Sequence, residues 1–230
     1  MSDPQTVLKY TKQFHFFDEE NDAASLNIAI PEVLDPSYGM YVWPCAPVLA
    51  QYIWYQREYI RGKRVLEIGA GTALPGIVAA KCGADVVLSD SALLPKCLEN
   101  TKQSCLANGL MDIPVLGITW GDFNPDLLEL GPVDIILGSD CFYDTKDFEP
   151  ILVTISFLIE KNPQAMFWTT YQVRSADRSV EYLLEKWELG CLRINLDTFG
   201  ANKPCLAGSQ LPGNHTIEML VIERRKSSQE

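Results

Sequence analysis

The segment Val65-Leu66-Glu67-Ile68-Gly69-Ala70-Gly71-Thr72-Ala73-Leu74-Pro75-Gly76 constrains what this chain can fold into more than any other stretch. An apolar run passes into two closely spaced glycines and then into a helical pattern. Pro75 stands near the first turn of that helix, where its missing N–H removes no hydrogen bond. Glycines at the junction let the backbone turn sharply and let a ligand come close to the main chain. A strand that ends this way belongs in an open α/β sheet, with a ligand crevice beyond its C-terminal end.

The rest of the chain supplies the elements such a sheet needs. Residues 64–68, 85–88, 113–118, 133–137 and 165–170 read as strands, and residues 74–81, 94–108 and 176–187 as helices. Another helix begins after Trp43, where Cys45, Val48, Leu49, Tyr52 and Ile53 recur at helical spacing. Phe148, Ile151, Leu152, Ile155, Leu158 and Ile159 form the stripe of an amphipathic helix. Strands alternating with helices predict a mostly parallel sheet covered on both faces. Residues 191–196 and 216–222 read as two final strands without a helix between them, hence an antiparallel pair. Near the start, residues 14–17 and 26–30 flank a polar stretch and predict a short hairpin. Pro31, Pro36 and Gly39 then punctuate an extended link. The expected fold class is α/β: a Rossmann-like, seven-stranded, mostly parallel sheet with helices on both faces, antiparallel last strands and a short N-terminal β extension. One domain is expected over residues 1–230, with tails at 1–11 and 224–230.

Two cofactor classes use a glycine turn of this kind. A dinucleotide site wants G-x-G-x-x-G, but Leu74 stands where the third glycine belongs. Instead Glu67 precedes Gly69 by two positions, and this E-x-G-x-G form is similar to the first motif of the S-adenosylmethionine-dependent methyltransferases. Asp90 ends the next strand nineteen positions after Gly71. An acid there can accept hydrogen bonds from both hydroxyls of a ribose. A turn needed only for tight packing would look the same without Asp90.

Further motifs carry a resemblance to a known family, running from about Ile30 to Ile222. It is the seven-strand methyltransferases called family sixteen, mostly protein-methylating enzymes. Trp43 in Tyr-Val-Trp-Pro-Cys-Ala, the turn Gly69-Ala70-Gly71, Asp90, Trp120-Gly121, and the acid-x-x-Tyr motif Asp140-Cys141-Phe142-Tyr143 match its shared marks. Ile30-Pro-Glu-Val-Leu-Asp-Pro, Tyr38-Gly-Met-Tyr-Val-Trp-Pro-Cys, Thr170-Tyr-Gln-Val-Arg-Ser-Ala-Asp and Leu211-Pro-Gly are similar to one branch of it. The resemblance implies S-adenosylmethionine as cofactor, with Glu67, Gly69, Ala70 and Gly71 holding its methionine part and Asp90 its ribose. It implies Trp43 and Trp120 flanking the adenosyl group, with Ser139 at its adenine side. The branch implies methylation of an arginine in the histone H3 tail and a role in transcriptional and chromatin regulation. The acid-x-x-Tyr motif is the mark of the lysine-directed members, so lysine in a non-histone protein is the alternative.

A lysine or arginine target arrives positively charged, and something acidic must attract it and take a proton. Asp140, just past the fourth parallel strand, is the candidate for orienting the target nitrogen. Tyr143 is the candidate for an aromatic wall or a hydroxyl. Asp144 could add a second carboxylate, since a guanidinium rewards bidentate partners. The segment Tyr171–Arg174 falls on the same sheet edge, where Arg174 reads as a salt-bridged structural residue. His215 is given no role.

The formal net charge is −11. Such a surface repels phosphate backbones and attracts basic peptides, so a histone-like tail is an expected partner and nucleic acid is not. Seven cysteines and two histidines show no metal-ligand spacing, which favours free thiols in a reducing compartment and no metal. No apolar run reaches membrane-spanning length. The expectation is a soluble protein of the cytoplasm and nucleus. Two readings compete with the enzyme: a non-catalytic module that keeps the fold, and a nicotinamide oxidoreductase, which Leu74 disfavours.

Overall fold

The computed structural model describes residues 9–18, 24–33, 39–174, 180–210 and 216–225. In chain order the elements are β1 (Lys9–Phe17), β2 (Ser25–Val33), α1 (Cys45–Tyr55), α2 (Arg57–Ile60), β3 (Arg64–Glu67), α3 (Leu74–Lys81) and β4 (Asp85–Asp90). There follow α4 (Pro95–Ala107), β5 (Val115–Gly117), α5 (Pro125–Leu128), β6 (Ile135–Ser139), α6 (Thr145–Lys161) and β7 (Met166–Gln172). The last are α7 (Glu181–Lys186), β8 (Leu189–Ile194), β9 (Cys205–Leu206), β10 (Ser209–Gln210) and β11 (Ile217–Arg224).

The main sheet has seven strands in the order β5-β4-β3-β6-β7-β11-β8. From β5 to β7 every neighbouring pair is parallel. Strand β11 inserts between β7 and β8 and runs antiparallel to both, so the two final strands pair as their sequence suggested.

Side chains alternate across this sheet and feed two apolar cores. Val65, Ile135, Leu137, Trp168, Met219 and Val221 face the core that contains α1, α3 and the N-terminal hairpin. Their immediate neighbours Leu66, Ile136, Phe167, Leu220 and Ile222 face the core built on α6. Helix α6 buries the predicted stripe, from Phe148 to Ile159. Because both faces are covered, the strands read as continuous apolar runs, which is why they were visible in the sequence.

The N-terminal hairpin is longer than its sequence suggested. Strands β1 and β2 pair over nine residues each, from Lys9 opposite Val33 to Phe17 opposite Ser25. Pro31 lies inside β2, opposite Thr11, and does not begin a link. Both strands of a two-stranded ribbon are edges, where proline is tolerated. Phe14, Phe16, Ile28 and Ile30 are its buried face. Lys9–Thr11 and Arg224, expected in tails, are strand residues; residues 1–8 and 226–230 lie outside the described set. So do Pro36, residues 176–179 of the predicted helix, Leu211–Gly213 and His215.

Candidate active site

Because β3 to β7 run the same way, the C-terminal ends of five strands share one edge of the sheet. A cavity of about 640 Å³ opens there, within the range of roughly 300–1,000 Å³ found for small-molecule sites.

The turn after β3 forms its floor. Gly69 and Gly71 have φ of +57° and +53°, a region where a Cβ is strained. Space forbids a Cβ as well. At Gly69 it would stand 2.7 Å from Trp120 Cζ2, and at Gly71 it would stand 2.9 Å from the Gly39 carbonyl oxygen. The turn is pinned from three sides. The Ala70 N–H donates to the Ser89 carbonyl at 2.9 Å. The Thr101 hydroxyl on α4 donates to the Gly71 carbonyl at 2.7 Å. The Gly71 N–H donates to Asp90 Oδ2 at 2.7 Å.

Asp90, at the end of β4, also accepts the Ser91 N–H on Oδ1 at 2.7 Å. Burial pushes its carboxyl up, and these two N–H donors pull the other way. Each oxygen engages one donor and keeps accepting capacity for another. An acid beside a glycine cradle, facing a partly apolar cavity, fits a ribose-bearing cofactor.

Trp120, just past β5, stands over Gly69, and Trp43 stands on the rim, 38% exposed and edge-on to Tyr41 at 5.4 Å. Ser139 at the end of β6 and Ala70 in the turn complete this part of the lining. Glu67 is the one cofactor residue named from sequence that does not line the cavity. It is fully buried behind the turn, where Oε2 accepts the Gly76 N–H at 2.9 Å. Burial pushes its carboxyl up to about 8, a shift opposed by the Gly76 N–H and increased by the charge of Asp90.

Asp140, Tyr143, Asp147 and Arg174 line the same cavity. Asp140 is 7% exposed and has a φ of +53°, with its N–H donated to the Thr170 carbonyl at 2.8 Å. Both of its carboxylate oxygens are engaged. Arg174 Nη1 donates to Oδ1 at 2.9 Å and Nη2 to Oδ2 at 2.6 Å. Arg174 thus makes the salt bridge its sequence context suggested, and its partner is the catalytic candidate itself. Tyr143 is half exposed at the mouth, and burial of the rest raises its hydroxyl pKa, so it stays protonated at neutral pH. Asp144 is spent elsewhere: it caps α6 by accepting the Lys146 N–H and pairs with the Lys146 ammonium. Asp147, in the first turn of α6, lines the cavity in its place. Asp147, Tyr41 and Thr119 were not singled out from sequence. Their only signal was position, Thr119 just past β5 and Tyr41 two residues before Trp43.

A family model described as lysine methyltransferase matches residues 21–186. A Xenopus laevis protein named histone-arginine methyltransferase METTL23 is 62% identical over 204 residues, covering 89% of this chain and 87% of its own. The Homo sapiens protein of the same name is 59% identical over 189 residues, covering 82% of this chain and all of its own. In fold, the chain is similar to a SAM-dependent methyltransferase from Agrobacterium tumefaciens. The TM-score is 0.57 at 17% identity, over 86% of this chain and 68% of that one. With that match over most of its length, the chain belongs to the family-sixteen, S-adenosylmethionine-dependent protein methyltransferases.

Proposed function

We propose that this methyltransferase acts on an arginine of the histone H3 tail, in the nucleus and cytoplasm, as a regulator of chromatin. The observation that carries the reading is a cavity lined both by the glycine turn with Asp90 and by the buried carboxylate of Asp140. The two relatives bearing the histone-arginine name support the choice of substrate.

In this reading Gly69, Ala70 and Gly71 offer backbone to the methionine part of the cofactor, and Asp90 accepts from the ribose hydroxyls. Trp43 and Trp120 wall the adenosyl group, with Ser139 at its adenine side. Glu67 acts one step back, holding the start of α3 against the turn through the Gly76 N–H. S-adenosylmethionine held there would supply a methyl carbon on cationic sulfur to a target nitrogen, the C–S electron pair leaving with sulfur as the C–N bond forms. The protein has to hold that nitrogen in line and remove its proton. In this reading Asp140 does both, passing the proton on to solvent, and Tyr143 offers a ring against which the target side chain can lie.

The test is transfer of labelled methyl from S-adenosylmethionine to histone H3 by wild type, Asp90→Ala and Asp140→Ala. Both variants should lose labelling, by about a hundredfold or more for a group that takes part in proton removal. Only Asp90→Ala should lose cofactor binding. Hydrolysis of the product should give methylarginine. Methyllysine would move the substrate to the lysine reading, which the Asp140–Tyr143 motif favours, and cofactor binding without any labelled protein would overturn the assignment.

A further inference from the structure

We infer that Arg174 occupies the seat on Asp140 that the guanidinium of the substrate takes, and that this seat selects arginine over lysine. The inference rests on the reading of Asp140 as the substrate-facing acid.

Asp140 is among the most deeply buried of the charged groups that line the cavity, and its backbone is held in a conformation that an aspartate adopts at a cost. A carboxylate so far from water needs a proton, hydrogen-bond donors or a cation beside it. Arg174 provides one, in a side-on fork with both oxygens filled. Its own side chain is 26% exposed, against 6% for Asp140, so the guanidinium lies in the cavity wall with water on one side and the acid on the other. It lies two residues past the end of β7, outside the sheet. Nearby, burial pushes the Cys45 thiol up, so it stays neutral, and it hydrogen-bonds the same Asp140 carboxylate without supplying a charge.

This geometry fixes what can replace Arg174. A guanidinium entering from the cavity reproduces both charge-assisted bonds, because its N–H fork matches the carboxylate. An ammonium is a point charge that satisfies one oxygen well. Exchange of one guanidinium for another therefore leaves the buried acid paired throughout, whereas exchange for lysine leaves one oxygen short of a donor. One such bond corresponds to about tenfold in affinity. Displacing Arg174 also costs binding, which lowers the affinity of the wild-type seat for every cation and leaves those with a poor fork shut out.

The test uses the full chain with Arg174→Ala and Arg174→Lys, methylguanidine and methylamine as probes, and cofactor binding as the check of folding. Arg174→Ala should bind methylguanidine at least tenfold more tightly than wild type and tenfold more tightly than methylamine. Methylguanidine should then compete with an arginine peptide of the H3 tail, whose KM should fall in this variant. If Arg174→Ala binds cofactor but gains no affinity for methylguanidine, the inference is wrong. It is equally wrong if methyl transfer is lost in Arg174→Ala and restored by methylguanidine, since Arg174 then stays paired during turnover as a positioning residue. Should Arg174→Ala fail to fold, Arg174→Lys keeps a cation with a poorer fork and should lower the peptide KM; an unchanged or higher KM overturns the idea. A wild type that labels no protein, alongside an Arg174→Ala that gains methylguanidine binding, would leave the seat standing and remove the proposed function.

Discussion

Glu67 shows how one side chain serves the site without touching it. Its Oε2 fixes the Gly76 N–H, while Oε1, fully buried, makes no hydrogen bond. A charge there is uncompensated, which is why burial pushes the carboxyl up to about 8 from 4.5. The sign follows from proton uptake. Below 4.5 folded and unfolded chains are both protonated at this residue. Between 4.5 and about 8 only the folded chain holds the proton, so stability is present at low pH and is lost as pH rises through the folded value. The slope at the centre of that window is about 1.4 kcal/mol per pH unit. Glu67→Gln keeps the shape and the acceptor for Gly76 but cannot ionise. Urea unfolding of the two proteins from pH 5 to pH 8 should therefore show wild type losing stability relative to the variant. Parallel curves would mean that Glu67 is charged in the folded protein.

The N-terminal hairpin is tied to the main fold by a polar clasp. Asn108, the residue that ends α4, accepts the Ala29 N–H at 2.9 Å and donates to the Ala29 carbonyl at 2.7 Å, imitating a third strand against β2. It also donates to the Ser104 carbonyl at 2.8 Å, which fixes the amide in place. Asn108→Ala should cost about 1–3 kcal/mol, the range for stranding a part-buried backbone group, and should speed hydrogen exchange at the Ala29 amide. Unchanged exchange there would show that the apolar face of Phe14, Phe16, Ile28 and Ile30 holds the hairpin alone. The clasp was not visible in the sequence, because a side chain imitating a strand over 79 positions leaves no local pattern. The glycine turn was visible, since positive φ and lack of space together demand glycine at Gly69 and Gly71. Asp140 has the same backbone sign without being glycine, and its pairing with Arg174 depends on how β6 and β7 lie side by side. The stripe of α6 read clearly because about three turns, from Phe148 to Ile159, repeat it. Four-residue α2 and α5, and two-residue β9 and β10, are too short for any period to appear.

At the scale of the molecule, the fold is similar to that of a methyltransferase only 17% identical in sequence, so the fold by itself does not choose a substrate. Charge narrows the choice. A net −11 acts over distances that contacts at the cavity do not reach. It raises the local concentration of a basic tail and speeds encounter, and salt screens it with a Debye length of about 10 Å at 0.1 M and about 3 Å at 1 M. The proposed pairing of one substrate nitrogen with the buried Asp140 would be screened far less. The two contributions can therefore be separated by salt. For a basic H3 tail peptide, kcat/KM should fall several-fold between about 50 mM and about 500 mM salt, through KM, with kcat nearly constant. A peptide presenting the same arginine among neutral neighbours should start with a higher KM and change little over the same range. If both peptides respond alike, the acidic surface plays no part in recruitment, and substrate choice rests on the cavity alone.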